Sequence, residues 1–285
     1  MNEEGLSLLK EEHEAKRKGL FRKVIPASLK EAIEALPDDP FAIPLGQGED
    51  GKHYSAPLDR LPNLIVAGGE GNGKSHYLHS LLVTLLLRNK PEDMQFVLID
   101  SKKQEFASYA GIPHLRTPIV SEKEAVQEVF AGLLEEVQRR FGLLDETQTR
   151  EVREYNDVHP ENKLPKIIVF IDSFDDAFGR NIEKLNRLAQ RSRLAGIHII
   201  LADRFGKDGY VPTSLTSNFP SQVVLSYKKR KSRMTLVNAE GAKKIKGEGE
   251  ALLSSMAISS IDPVRCRLPF ISEEEIAAVI ELLKK

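Results

Sequence analysis

Two short stretches hold reactive side chains in arrangements suited to handling a phosphorylated ligand. The first is "GGEGNGKS", Gly68 to Ser75, which fits the phosphate-loop pattern G-x-x-x-x-G-K-[ST]. Its glycines, Gly68, Gly69, Gly71 and Gly73, free the backbone to wrap phosphates with inward N–H groups, with Glu70 and Asn72 interleaved and His76 following. Lys74 is expected to reach the β and γ phosphates, and Ser75 to ligate magnesium. The second stretch is "KIIVFIDSFDD", in which an apolar run ends at Asp172, a magnesium-side carboxylate candidate. The next residue is Ser173, where a water-activating carboxylate would be expected, so the motif raises the question of a motor or only its shell.

Elements must hold these residues at one edge of a sheet. "NLIVA" before the phosphate loop and "HYLHSLLVTLLL" after it read as a strand and a helix, the context the loop needs. Further uninterrupted apolar runs, at 96–100, 167–172, 197–202 and 222–226, alternate with helical segments and suit a parallel sheet covered on both faces. After Ser121 the spacing of Val126, Val129, Phe130, Leu133, Leu134, Val137 and Phe141 predicts a core-facing helix, with Ser121 and Glu124 as its capping box. Ser28 with Glu31 and Ser272 with Glu275 mark two more helix starts. The fold class is therefore α/β. A small helical arm over residues 1–40, peripheral and closed by "LPDDP", precedes one domain over 41–285.

The 285 residues suffice for a substantial core. The 41 Lys and Arg nearly cancel the 42 Asp and Glu, so bulk charge gives no argument about nucleic acid. Any basic surface must be local, and "KKRKSR", with Lys228, Lys229, Arg230 and Lys231, is the densest candidate for DNA phosphates. One cysteine, Cys266, reads as a buried small apolar residue in a reducing, cytoplasmic setting, and a parent protein could still be membrane-tethered. No run approaches the roughly 18 apolar residues a membrane span needs.

The chain resembles the FtsK/SpoIIIE branch of the FtsK–HerA P-loop motors. "LPNLIVAGGEGNGKS", "FVLIDSKKQEFASYAGIPHLRTPIVSEKEAV", "LLEEVQRRFGLL", "IIVFID", "RLAQRSRLAGIHIILA", "NFPSQVVLS", "KSRMTL" and "GEGEALL" match in family order, from about Phe41 to Phe270. The resemblance implies a RecA-like core that binds ATP and Mg2+, assembles as a homo-hexameric ring and drives double-stranded DNA through its pore. Where the family places a glutamate after the Walker B aspartate, this chain has Ser173. Where it commonly reads Thr-Gln-Arg-Pro, the chain has Asp203, Arg204, Phe205 and Gly206, so Arg204 takes the sensor position and Asp203 is a possible relocated carboxylate. Asp175 and Asp176 read as surface acids. Gln222 stands at a usual arginine, while Arg193 and Arg233 remain as possible trans arginines. Two readings stay open: a DNA translocase with weakened hydrolysis, or a poorly hydrolysing ring subunit of a conjugation or type VII-like secretion machine.

Overall fold

The computed structural model describes residues 2–11, 27–61, 63–173, 181–203, 213–226, 245, 249–258 and 262–284. Its strands are β1 (Ala27–Ser28), β2 (Ala42–Gly48), β3 (His53–Pro57), β4 (Asn63–Ala67), β5 (Met94–Asp100), β6 (Lys166–Asp172), β7 (Ile197–Asp203), β8 (Ser221–Leu225), β9 (Glu250–Ser254), β10 (Val264–Arg267) and β11 (Pro269–Phe270). The helices are α1 (Glu3–Ser7), α2 (Leu29–Glu34), α3 (Lys74–Arg88), α4 (Lys123–Thr147), α5 (Val152–Val158), α6 (Ile182–Arg191), α7 (Thr213–Thr216) and α8 (Glu273–Leu283).

Nine strands form one sheet in the order β3-β2-β10-β9-β8-β4-β7-β6-β5. From β8 to β5 all pairings are parallel, whereas β9, β10, β2 and β3 extend the sheet antiparallel. β4 and β6, which carry the two motifs, are separated by β7. Successive side chains in a strand point to opposite faces, and the apolar runs feed two separate cores for that reason. Leu64, Val66, Leu98, Phe170 and Ile200 pack with Tyr77, Leu78, Leu81 and Leu85 of α3. Ile65, Ile99, Val169, Ile199 and Leu201 pack with Val126, Phe130, Leu133 and Val137 of α4 and Leu185 and Leu188 of α6. Each fully buried leucine or phenylalanine contributes about 1.5–3 kcal/mol relative to exposure, so both helix layers are held chiefly by this burial. The predicted stripe of α4 is thus core, with Val129, Leu134 and Phe141 partly buried beside it.

Two local expectations change. The Ser121 capping box does not form: α4 begins one residue later, with Glu122 at the N-cap and no side-chain cap bond. Lys103 pairs with the Glu122 carboxylate instead. Leu9 and the described residues from 27 to 39 also contribute to the core rather than lying at the periphery. Ser28 caps α2 by accepting the Glu31 N–H, and Leu29, Ala32 and Ile33 are buried. Leu9, Leu29 and Ile33 share one cluster with Ile43, Leu45 and Val279, and β1 pairs parallel with β11. The Ser272–Glu275 box of α8 forms in both directions. Cys266 is buried as expected, its thiol pushed up to about 12 by burial. No helix among the described residues is long and apolar enough to cross a membrane.

Candidate nucleotide-binding site

β4 delivers the chain into the glycine loop at the edge of the sheet, and Lys74 is the first residue of α3. Gly73, the N-cap, has φ 97°, a left-handed conformation that a side chain would strain. Gly68 lies so close to β8 that a Cβ would come within 2.9 Å of Leu225 Cβ. The loop is fixed from outside. Ser226 O accepts the Gly69 N–H at 3.0 Å and the Asn72 side-chain amide. Gly68 donates to Asp203 O and Gly249 donates to Asn72 O, each at 3.4 Å. The Lys74 ammonium folds over this frame, donating to Gly68 O at 3.0 Å and Gly69 O at 2.9 Å. Glu70 and Gly71 are exposed at the tip, while His76 is half-buried with its ring 4.6 Å from that of Phe270. Burial lowers the His76 pKa, which favours the neutral imidazole.

Asp172 ends β6 and is 5% exposed. Burial, then the nearby Glu105 charge, pushes its pKa up to about 6. Ser173 is also buried, and its φ of 61° places a non-glycine residue in the left-handed region. Three contacts hold it there. Its N–H donates to Ala202 O at 2.9 Å, its hydroxyl donates to Asp172 Oδ2 at 3.2 Å, and its carbonyl accepts from the Ser101 hydroxyl at 3.3 Å. Such backbone strain costs on the order of 1–3 kcal/mol and clusters at functional turns.

These residues fit a magnesium-bound nucleotide. Ser75 sits in the first turn of α3, where free backbone N–H groups favour phosphate, and a cation would relieve the buried Asp172 carboxylate. Magnesium is usually held by one or two carboxylates together with substrate phosphates. Among the described residues no three His, Cys, Asp or Glu side chains form a self-standing metal site.

A second carboxylate stands at this site that the sequence did not single out. Asp100, fully buried at the end of β5, pairs in register with Asp172. Its Oδ1 accepts the Lys102 N–H at 3.1 Å, and its Oδ2 accepts the N–H groups of Glu105 at 2.8 Å and Phe106 at 3.1 Å. The resulting turn presents Glu105 to α3. His79, then a hydrogen bond from Ser75, holds the Glu105 carboxyl below the usual range although burial opposes them. The only sequence signal was its place a few residues beyond a strand tip.

The remaining expected residues divide. Asp203 is buried at the end of β7, and Gln222 is buried in β8 opposite Ile65. Arg193 is exposed and donates to Asp59 O at 3.4 Å, ahead of β4 and β7 and so at the edge of the sheet away from the phosphate loop. Within one subunit it therefore does not join the site. Arg204, Arg233, Lys228, Lys229, Arg230, Lys231, Asp175 and Asp176 lie outside the described residues.

A glycine loop between β4 and α3, with an aspartate on the second strand over, defines a P-loop ATPase of RecA-like fold. The profile of the FtsK/SpoIIIE family matches residues 27–207, more than half of the chain. The chain belongs to the FtsK/SpoIIIE family. It is 33% identical over 271 residues to the DNA translocase FtsK of Caldanaerobacter subterraneus subsp. tengcongensis, which covers 92% of this chain and 38% of that relative's length. Among solved structures it resembles the conjugation coupling protein TcpA of pCW3, with TM-score 0.73 and 20% identity over 87% of this chain and 72% of that one. It also resembles ATPases 2 and 3 of EssC from Geobacillus thermodenitrificans, with TM-score 0.75 and 19% identity over 94% of this chain and 52% of that one.

Proposed function

We propose that this chain is the ATP-binding motor domain of a double-stranded DNA translocase, that it works in a homo-hexameric ring, and that it hydrolyses Mg-ATP slowly. One observation carries the reading. The phosphate loop, Lys74 and the buried Asp172 are assembled for binding, while the position beside Asp172 holds a serine hydroxyl that donates to Asp172 rather than a carboxylate that accepts from water. Nucleotide binding is thereby kept and water activation weakened. Losing a well-placed general base typically costs on the order of 10²–10⁴ in rate. The family and the FtsK relative support DNA as the substrate, and Lys228 to Lys231 are the candidate contacts.

The test is ATP turnover by the wild type and Ser173→Glu, with and without duplex DNA. Slow wild-type turnover with a large gain in the variant is expected, and wild-type turnover of tens per second with DNA would overturn the slow-hydrolysis reading. A second reading, a ring subunit in which bound ATP holds an assembly interface, rests on the same serine. It gains ground if ATP promotes assembly while DNA stimulates neither protein.

A further inference from the structure

A chain of polar side chains runs from the core to the mouth of the phosphate loop. The Tyr109 hydroxyl lies 3.0 Å from His79 Nδ1, in a fully buried setting that keeps the phenol protonated and able to donate. The other ring nitrogen, Nε2, faces Glu105 Oε2 at 3.7 Å. His79 lies one turn beyond Ser75 on the same face of α3, and the Glu105 N–H is bound by Asp100, the register partner of Asp172, so the Glu105 carboxylate lies between the start of α3 and the tip of β6, where its charge helps to raise the Asp172 pKa. Phe106, buried beside Tyr109 and Phe170 with ring centroids 6.4 Å away in each case, anchors the turn that carries Glu105. The Glu105 backbone is thus held by Asp100 and by the packing of Phe106, and its carboxylate faces His79. An exposed surface acid would have none of these.

We propose that Glu105 is a positioning residue of the magnesium site, an outer carboxylate that orients Ser75 and, with Asp172, accepts hydrogen bonds from the water shell of a nucleotide-bound divalent cation. Magnesium keeps several of its waters when bound, so a carboxylate need not touch the ion to hold it. Groups that orient metal ligands from outside typically matter 10–100-fold in metal affinity. The inference rests on the nucleotide-binding reading above and deepens it by assigning the second acidic group of the site.

The experiment titrates a fluorescent ATP analogue into the full chain, in EDTA and in magnesium, for wild type, Glu105→Gln, Glu105→Asp and His79→Ala. Wild type is expected to bind more tightly with magnesium. Glu105→Gln should lose about 10–100-fold of that magnesium-dependent gain. In EDTA it should bind the analogue as tightly as wild type or more so, since one negative charge near the phosphates is gone. His79→Ala should show a smaller loss of the same kind, and Glu105→Asp should recover part of it. A purely structural role would lower the melting temperature and weaken binding equally in both conditions. Equal magnesium dependence in wild type and Glu105→Gln overturns this inference alone. Wild type that fails to bind the analogue overturns the nucleotide-binding reading and this inference with it. If Glu105→Gln does not fold, Glu105→Asp and His79→Ala decide, and unchanged magnesium dependence in both overturns the proposal.

Discussion

Replacing Asp172 with asparagine removes a charge that the fold stabilises poorly until a cation arrives. Burial and the Glu105 charge raise this carboxyl from its ordinary 3.8 to about 6. An acid with a raised folded pKa binds its proton more tightly in the native state. Stability therefore falls as pH rises between those two values, and the penalty is complete above about pH 6. A rise of that size corresponds to at most about 3 kcal/mol at pH 7.5. At pH 5 roughly nine-tenths of the native molecules carry the proton, so about 1.4 kcal/mol of the penalty is already relieved. Asp172→Asn should accordingly be more stable than wild type at pH 7.5, with its margin shrinking by about 1.4 kcal/mol at pH 5, or about 3–5 °C in melting temperature. Thermal unfolding in EDTA at pH 5, 6 and 7.5 reads this directly. Saturating Mg-nucleotide should reverse the order, because only wild type gains the full binding free energy. A difference between the two proteins that does not vary with pH would refute the account of Asp172 as a buried, electrostatically strained anion.

Other outcomes follow from the same contacts. Lys74→Ala should abolish binding of a fluorescent ATP analogue while moving the melting temperature little, because the hydrogen bonds of its ammonium to the carbonyls of Gly68 and Gly69 stay within the loop itself. Arg140 is fully buried, with its guanidinium on Ala195 O and on the Glu136 carboxylate, each at 2.8 Å. Arg140→Ala should cost about 2–3 kcal/mol in denaturant unfolding, since it empties a fully buried site and strands the Ala195 carbonyl, while Arg139 still holds the Glu136 carboxylate. Cys266 should stay unreactive to a thiol reagent at pH 8 until denaturant unfolds the sheet, because burial raises its pKa to about 12. Fast labelling of the native protein would contradict its placement against Leu45.

Features that depend on near neighbours in the chain were legible before any fold was known. The glycine loop follows from a fixed pattern of eight residues, the buried strands from short uninterrupted apolar runs, the α4 stripe from a repeat of three to four residues, and the Ser272–Glu275 box from a spacing of three. The family motifs also placed Lys74 at the start of a helix and Asp172 at a strand tip. Local spacing did not decide Ser121, whose cap was lost when Glu122 took the N-cap and paired with Lys103 across a turn. Nor could it show that the region before residue 40 helps close the core, because β1 finds its partner in β11 near the other end of the chain. The Arg193 position likewise depends on strand direction, which sends it to the far edge of the sheet. Packing across the sheet set Glu105 against His79 of α3 and Asp100 beside Asp172. Their proximity needs the sheet order that sets β5 beside β6, the Asp100 carboxylate that turns the following loop, and the packing of Phe106 that fixes where it points. The Asp100 turn is local, but the β5–β6 pairing and the Phe106–Phe170 contact link residues far apart in sequence, and only the packed sheet brings those within reach of one another.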